Sequence, residues 1–271
     1  MQKKHFFYSI CLVLLTIFAI SCKNESITLN IDRGENYFPL QKGKYWEYTV
    51  DSVSYKVRNR TTHVVDSFHH TFQVRELVGD SLRDAAGRPS FRLERYTRPN
   101  SDSTWRLEDI WYVTKTSTTA ERVEEDQRFV KLAFPVNKAT KWNCVQYIDP
   151  YTQLSIWGER TEAAYSTDKG FIGYKDSIYL RIDKPYALNG RTYDSTATVL
   201  FADSDPKNVG GTNYRYYKEI YARNVGLVYK KLAIIDTQCF GSGCPRGNLS
   251  WAARAEVGFF LTMKLDRYGQ Q

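Results

Sequence analysis

From Ala255 to Asp266 the chain alternates without a slip. Ala255, Val257, Phe259, Leu261, Met263 and Leu265 share one side of an extended backbone, and Glu256, Thr262, Lys264 and Asp266 share the other. A two-residue period is that of a strand with one buried and one wet face, and such strands belong to antiparallel sheets. Shorter versions recur. Trp46, Tyr48 and Val50 alternate, then Val53, Tyr55 and Val57 continue one register out, which predicts a bulge near Asp51–Ser52. Phe68, His70, Phe72 and Val74 form another face, as do Trp105, Leu107, Trp111 and Val113, and Ile178, Leu180 and Ile182. Asn189–Gly190 is a type I′ hairpin signal, because both positions of that turn need positive φ. Asp84 to Pro89 reads as a turn, residues 114–128 as a loop or short helix, and residues 202–213 and 237–250 as loops. After the first 22 residues no apolar period of 3.6 persists, so helices should be few. Twenty Tyr, 14 Phe and 6 Trp against two Met suit strands. The expected fold is all-β: an antiparallel curved sheet, incomplete barrel or sandwich.

A repeat divides that fold. Phe38-Pro39-Leu40-Gln41-Lys42-Gly43-Lys44-Tyr45-Trp46 returns as Phe134-Pro135-Val136-Asn137-Lys138-Ala139-Thr140-Lys141-Trp142. Both copies read Phe-Pro-aliphatic-x-Lys-x-x-x-Trp and lead into a strand-like run. Two related β halves follow, about 37–132 and 133–271. Each opens with a Pro-fixed turn that ends any earlier strand and a Trp-led strand. Phe38, Pro39, Trp46, Phe134, Pro135 and Trp142 are read as packing residues, each Phe tucked under its own sheet.

The chain begins with Lys3 and Lys4, an apolar run from Ile10 to Ile20, and small residues before Cys22. That is an export signal with a small-residue cleavage site, too short to span a bilayer comfortably. It resembles a bacterial lipoprotein signal, although Ala19 stands where such lipoboxes usually carry Leu. The resemblance implies removal of residues 1–21, lipidation of Cys22 and delivery to the outer membrane, since Lys23 is not the aspartate of inner-membrane retention. Cys22-Lys23-Asn24-Glu25 partly matches a surface-export tag, leaving periplasmic and cell-surface orientations both open. Residues 22–36 form a tether reaching up to about 45 Å at roughly 3.3 Å per residue, and residues 37–271 form the β domain.

The Phe-Pro-Leu-x-x-Gly-x-x-Trp-x-Tyr opening, Phe38 to Tyr48, is similar to that of uncharacterised Bacteroidetes outer-membrane lipoproteins, and an Asn224-Val225-Gly226-Leu227-Val228 strand fits them. That family carries no assigned activity, so the resemblance implies a place and an all-β fold. At the level of layout alone the chain also resembles curved-sheet lipoprotein carriers that hold acyl chains in a half-open barrel.

Little else points to chemistry. Cys239 and Cys244 flank Phe-Gly-Ser-Gly, whose glycines let the chain turn back for a disulfide in an oxidising compartment, leaving Cys144 as a buried free thiol. His69 and His70 point to opposite faces of a strand and do not share a metal, and His70 is expected partly buried beside Phe68 and Phe72. Asp203-Ser204-Asp205-Pro206 lacks the ligand count of a calcium loop and reads as a turn. Glu108-Asp109 and Glu124-Glu125-Asp126 have no flanking motif of a glycosidase. No nucleophile elbow, phosphate-binding glycine loop or zinc signature occurs, so no enzyme, cofactor or metal is expected. Loss of Lys3 and Lys4 lowers the net charge from +8 to +6, with Lys and Arg scattered as on a solvated surface. Nucleic acid is not an expected partner. The expectation is a lipid-anchored envelope protein binding an apolar or glycan ligand in an aromatic-lined concavity. The alternative is a structural component with an envelope protein partner.

Overall fold

The structure is a computed structural model that describes residues 31–59, 61–148, 154–156, 159–161, 176–204, 212–239 and 249–271. Cys22, Asp205, Pro206 and Cys244 lie outside them. A compact body spans Arg33–Gln271. No helix among the described residues is long and apolar enough to cross a membrane.

Six strands form a meander: β1 (Lys44–Asn59), β2 (Val64–Arg83), β3 (Pro89–Arg98), β4 (Arg106–Lys115), β5 (Thr119–Glu124) and β6 (Gln127–Ala133). Two residues, Lys141–Trp142, make β7, and Leu154–Ile156 (β8) pairs with Glu159–Thr161 (β9) as a separate ribbon. The meander then resumes with β10 (Ser177–Leu188), β11 (Arg191–Asp203), β12 (Asn213–Ala222), β13 (Gly226–Asp236) and β14 (Val257–Gln270), with a one-turn α-helix, α1 (Trp251–Arg254), before the last strand. The 12-stranded sheet runs β6-β5-β4-β3-β2-β1-β14-β13-β12-β11-β10-β7, so six strands lie on each side of residue 133. The result is an antiparallel, nearly closed barrel with one seam, between β6 and β7.

The seam is bridged without a ladder. Val130 N–H donates to Cys144 O at 2.8 Å, the Trp142 indole to Val130 O at 2.9 Å and the Tyr179 hydroxyl to Ala133 O at 2.7 Å. Beyond Ile178, β10 has no β7 partner. Three register shifts, Lys184 and Pro185 make this a poor template for another chain.

Alternation places the core as expected from Phe259 on in β14, where Phe259, Leu261, Met263 and Leu265 are buried. It does not do so before Gly258, at φ 105°. Val257 is 43% exposed, Ala255 precedes the strand and packs with Ile235 and Trp251 instead, and Glu256, expected on the wet face, is buried beside His63. Trp46, Tyr48 and Val50 of β1 join them. Asn189 and Gly190, at φ 49° and 74°, form the expected tight turn. Several details differ. No bulge occurs at Asp51–Ser52; β1 pairs with β2 in one register from Tyr45 to Val57. Tyr55 lies on the outer face instead, with Tyr214 and Phe260, around a second small core of Ile235, Trp251 and Ala255. Phe68 and His70 are exposed, because this part of β2 has run past the core that Val74 enters.

Leu107 is 53% exposed, since an extra residue, Glu108, fits between Arg95 and Tyr96 of β3 and flips it outward. In β10 the buried residues are Ser177 and Tyr179, and Leu180 is exposed. Within 114–128, where a loop or short helix is expected, residues 119–124 form a strand and a second strand, 127–133, begins, the two joined through Glu125 and Asp126 at φ 49° and 60°. Asn224, at φ 60°, is a turn residue, so the strand expected there starts at Gly226.

Candidate site at the barrel mouth and interior

Inward positions of six strands carry charge. Glu76 (β2) lies opposite Arg95 (β3), and Glu219 (β12) opposite Lys230 (β13). Arg122 and Glu124 of β5 and Lys131 of β6 join them, all at most 7% exposed. Arg122 Nη2 meets Glu76 Oε1 at 2.6 Å, and its Nε lies 3.2 Å from Glu124. Lys131 Nζ is 2.8 Å from Glu124 and 3.7 Å from Glu219, and donates to the Tyr217 hydroxyl at 2.8 Å. Tyr217 and Tyr221 donate to the two Glu219 oxygens. Trp111 lies beneath the guanidinium groups of Arg95 and Arg122, at 4.6 and 5.1 Å.

Burial alone would raise the Glu124 carboxyl, but Lys131, Lys230 and Arg122 outweigh it and hold it well below the usual range. Burial pushes Lys230 down to about 8, against the pull of Glu124 and Glu219. It also pushes the hydroxyls of Tyr48, Tyr217 and Tyr221 well above theirs. Charges this deep are tolerated only when paired and hydrogen-bonded.

At one end the network opens into a pocket of about 370 Å³, counting its mouth. Trp46, Val78, Leu93, Val113 and Leu227 are its apolar wall, and Glu76, Arg122, Tyr48 and Tyr221 its polar floor. Phe38, Pro39 and Leu40 also line it. They follow a 3-10 turn, Glu35–Tyr37, entered through Gly34 at φ 76°. The turn is fixed firmly. Tyr37 donates to Asp183 at 2.7 Å, Arg223 stacks on the Tyr37 ring at 4.7 Å and donates to Asn36 Oδ1 at 2.9 Å, and Lys115 donates to Phe38 O at 3.1 Å. The end of the segment assigned to the tether is thus docked on the barrel.

The two copies of the repeat go to different places. Phe38, Pro39 and Trp46 surround the pocket, and the Trp46 indole donates to Val225 O at 2.6 Å. Phe134 and Trp142 are buried near the seam; Trp142 packs on Tyr179 and Phe201, and the Phe134–Pro135 peptide is cis. Cys144 is a buried free thiol. Cys239 is buried and disulfide-bonded. His63 lies 2.5 Å from Glu256; His69 and His70 are exposed, and no metal-binding group of three or more His, Cys, Asp or Glu occurs among the described residues.

The interior charges were missed in the sequence although their signal is present. In Val74-x-Glu76-x-Val78 and Tyr217-x-Glu219-x-Tyr221 a carboxylate occupies an inward place in an otherwise apolar or aromatic alternation, and Val228-x-Lys230-x-Leu232 does the same with a lysine.

No protein-family model matches this chain, and no curated protein does. Among solved structures, one described as "lipid-protein interactions in lipovitellin" aligns over 86% of this chain and 26% of its own, at 9% identity and a TM-score of 0.32. This chain therefore spans about a quarter of that one, and the likeness is too slight to carry an argument about function.

Proposed function

We propose that the protein is a non-enzymatic, lipid-anchored outer-membrane protein whose barrel mouth holds one end of a small amphiphile. The observation that carries the binding reading is the pocket, whose apolar wall runs down to the Glu76–Arg122 pair. Ligand sites are typically concave and mostly apolar, with a few fixed polar groups. The floor also sets the head group. Arg122 is already matched by two carboxylates, so a neutral hydroxyl or ester finds donors and acceptors there, whereas an ionised head group finds no unmatched charge. The anchor reading rests on Lys3, Lys4, the apolar run and Cys22.

The test titrates a brominated monoacylglycerol into protein beginning at residue 23 and follows quenching of tryptophan fluorescence. Saturable quenching in the parent, lost in Val78→Phe at an unchanged melting temperature, is the expected result. A parent that is not quenched contradicts the reading. For the anchor, Cys22→Ser is expected to give a soluble or unprocessed product. A cleaved variant that still sediments with membranes would exclude lipidation at that residue.

A further inference from the structure

The outer face of the barrel carries a second arrangement of charge, independent of the pocket. Lys218 of β12 and Lys231 of β13 are directly opposed on neighbouring strands. Like charges so placed destabilise a sheet. Neither ammonium has a carboxylate within ion-pair distance among the described residues: Lys264 takes Asp51 at 3.6 Å, and Asp236 is taken by Arg215. Among the described residues, Asp203 is the register partner of Tyr216 on the far side from Lys231. Burial, with Lys231 beside it, pushes the Lys218 ammonium below the usual lysine range.

Rings flank the pair. Lys218 lies 6.0 Å from the Tyr216 ring and 5.6 Å from Tyr229, and Lys231 lies 5.9 Å from Tyr216. Tyr216 is nearly parallel to Tyr214, at 19°, and Tyr214 to Trp251, at 14°. The face is therefore a row of flat rings with two adjacent cations that have no counterion among the described residues.

We infer that this face binds an acidic saccharide, a uronate or sulfated sugar, with its anionic group between Lys218 and Lys231 and its ring on Tyr216 or Tyr229. Cross-strand neighbours have Cβ atoms about 5 Å apart, so both ammonium groups can close on one carboxylate or sulfate. Such an anion supplies the charge that the sheet lacks, and the apolar face of a pyranose stacks on an aromatic ring. A membrane surface fits less well. Tyr214, Tyr216 and Tyr229 are half-buried, and none of the large hydrophobic residues that protrude from the protein belongs to this row.

Affinity electrophoresis of the full-length chain in neutral detergent, through gels containing polygalacturonate, tests the assignment. The parent is expected to be retarded, and Lys218→Gln/Lys231→Gln to lose at least about tenfold of that affinity. Because the double substitution removes a like-charge contact, its melting temperature should equal or exceed the parent's, which separates lost binding from lost fold. Tyr216→Leu should weaken retardation with both lysines in place. An unretarded parent overturns the inference, as does retardation unchanged in the double variant or equal retardation by a neutral polysaccharide. Sedimentation with phosphatidylglycerol vesicles without retardation by polygalacturonate overturns it in favour of a membrane.

Discussion

Trp46 shows how one side chain serves both packing and polarity. Its ring lines the pocket, its indole nitrogen satisfies Val225 O, and Gly226, at φ 103°, would bring a Cβ within 3.3 Å of that nitrogen. Trp46→Ala is expected to cost about 3–5 kcal/mol, as large core truncations do. Trp46→Phe keeps most of the volume but leaves a buried carbonyl without its donor, and should cost about 1–3 kcal/mol. Thermal melts of both variants check the order, and an unchanged Trp46→Ala melt would refute the packing role. Cys144 gives a second test at this scale. Burial pushes its thiol up to about 12, so the reactive thiolate is scarce as well as inaccessible. Ellman's reagent at pH 8 should leave Cys144 untouched in the native protein and modify it after unfolding in guanidinium.

Among the elements, the stretch of β14 from Phe259 to Leu265 was readable because its alternation is unbroken there, and the Asn189–Gly190 turn because only residues tolerant of positive φ suit it. The outward turn of Leu107 was hidden, since a bulge leaves no mark in composition. Strands β5 and β6 were hidden for another reason. A charged residue facing a barrel interior looks like a loop residue until its partners on other strands are known, and Arg122 finds Glu76 46 residues away. Of the site, Trp46, Phe38 and Pro39 could be singled out by their repeat, whereas the floor could not. The role of β5 can be checked with Glu124→Gln, which removes the carboxylate shared by Arg122 and Lys131. Removing one partner of a buried ionic cluster costs about 3–5 kcal/mol, to be read as a lowered denaturation midpoint; an unaltered midpoint would show the cluster to be dispensable. Gly258 tests β14: at φ 105° its added Cβ would lie 1.9 Å from Ile234 O. Gly258→Ala should therefore cost at least about 2 kcal/mol by the same measurement.

For the molecule as a whole, acid should be the destabilising direction. Burial works against ionisation of Asp84, but backbone and side-chain hydrogen bonds from Arg88 bring it down to about 2. Glu121 is likewise held low by Arg88 and Arg128, and Asp183 by Ser195, Tyr37 and Arg223, each against the effect of burial. Carboxylates lowered in the folded state stabilise it fully above their unfolded values. As pH falls from about 4 towards 2 the unfolded chain takes up protons first, and that stability is lost. Calorimetry at pH 6, 4 and 3 should show the melting temperature falling, with a shallower fall for Arg88→Met. A melting temperature that rises on acidification would contradict the assignment.

The pairing of β1 with β14 bears on how such a chain is made. Lys44 is matched to Gln270 and Tyr55 to Gly258, so the first strand keeps one side unclosed until the last has been delivered. Contacts between such distant parts of a chain form slowly, because a long loop must be closed before they are gained. A polypeptide threaded across a membrane from its N-terminus would therefore reach the far side with its barrel still open. The edge between β1 and β14 could be sealed only after residue 257 had followed, so such a polypeptide would stay unfinished for nearly its whole length.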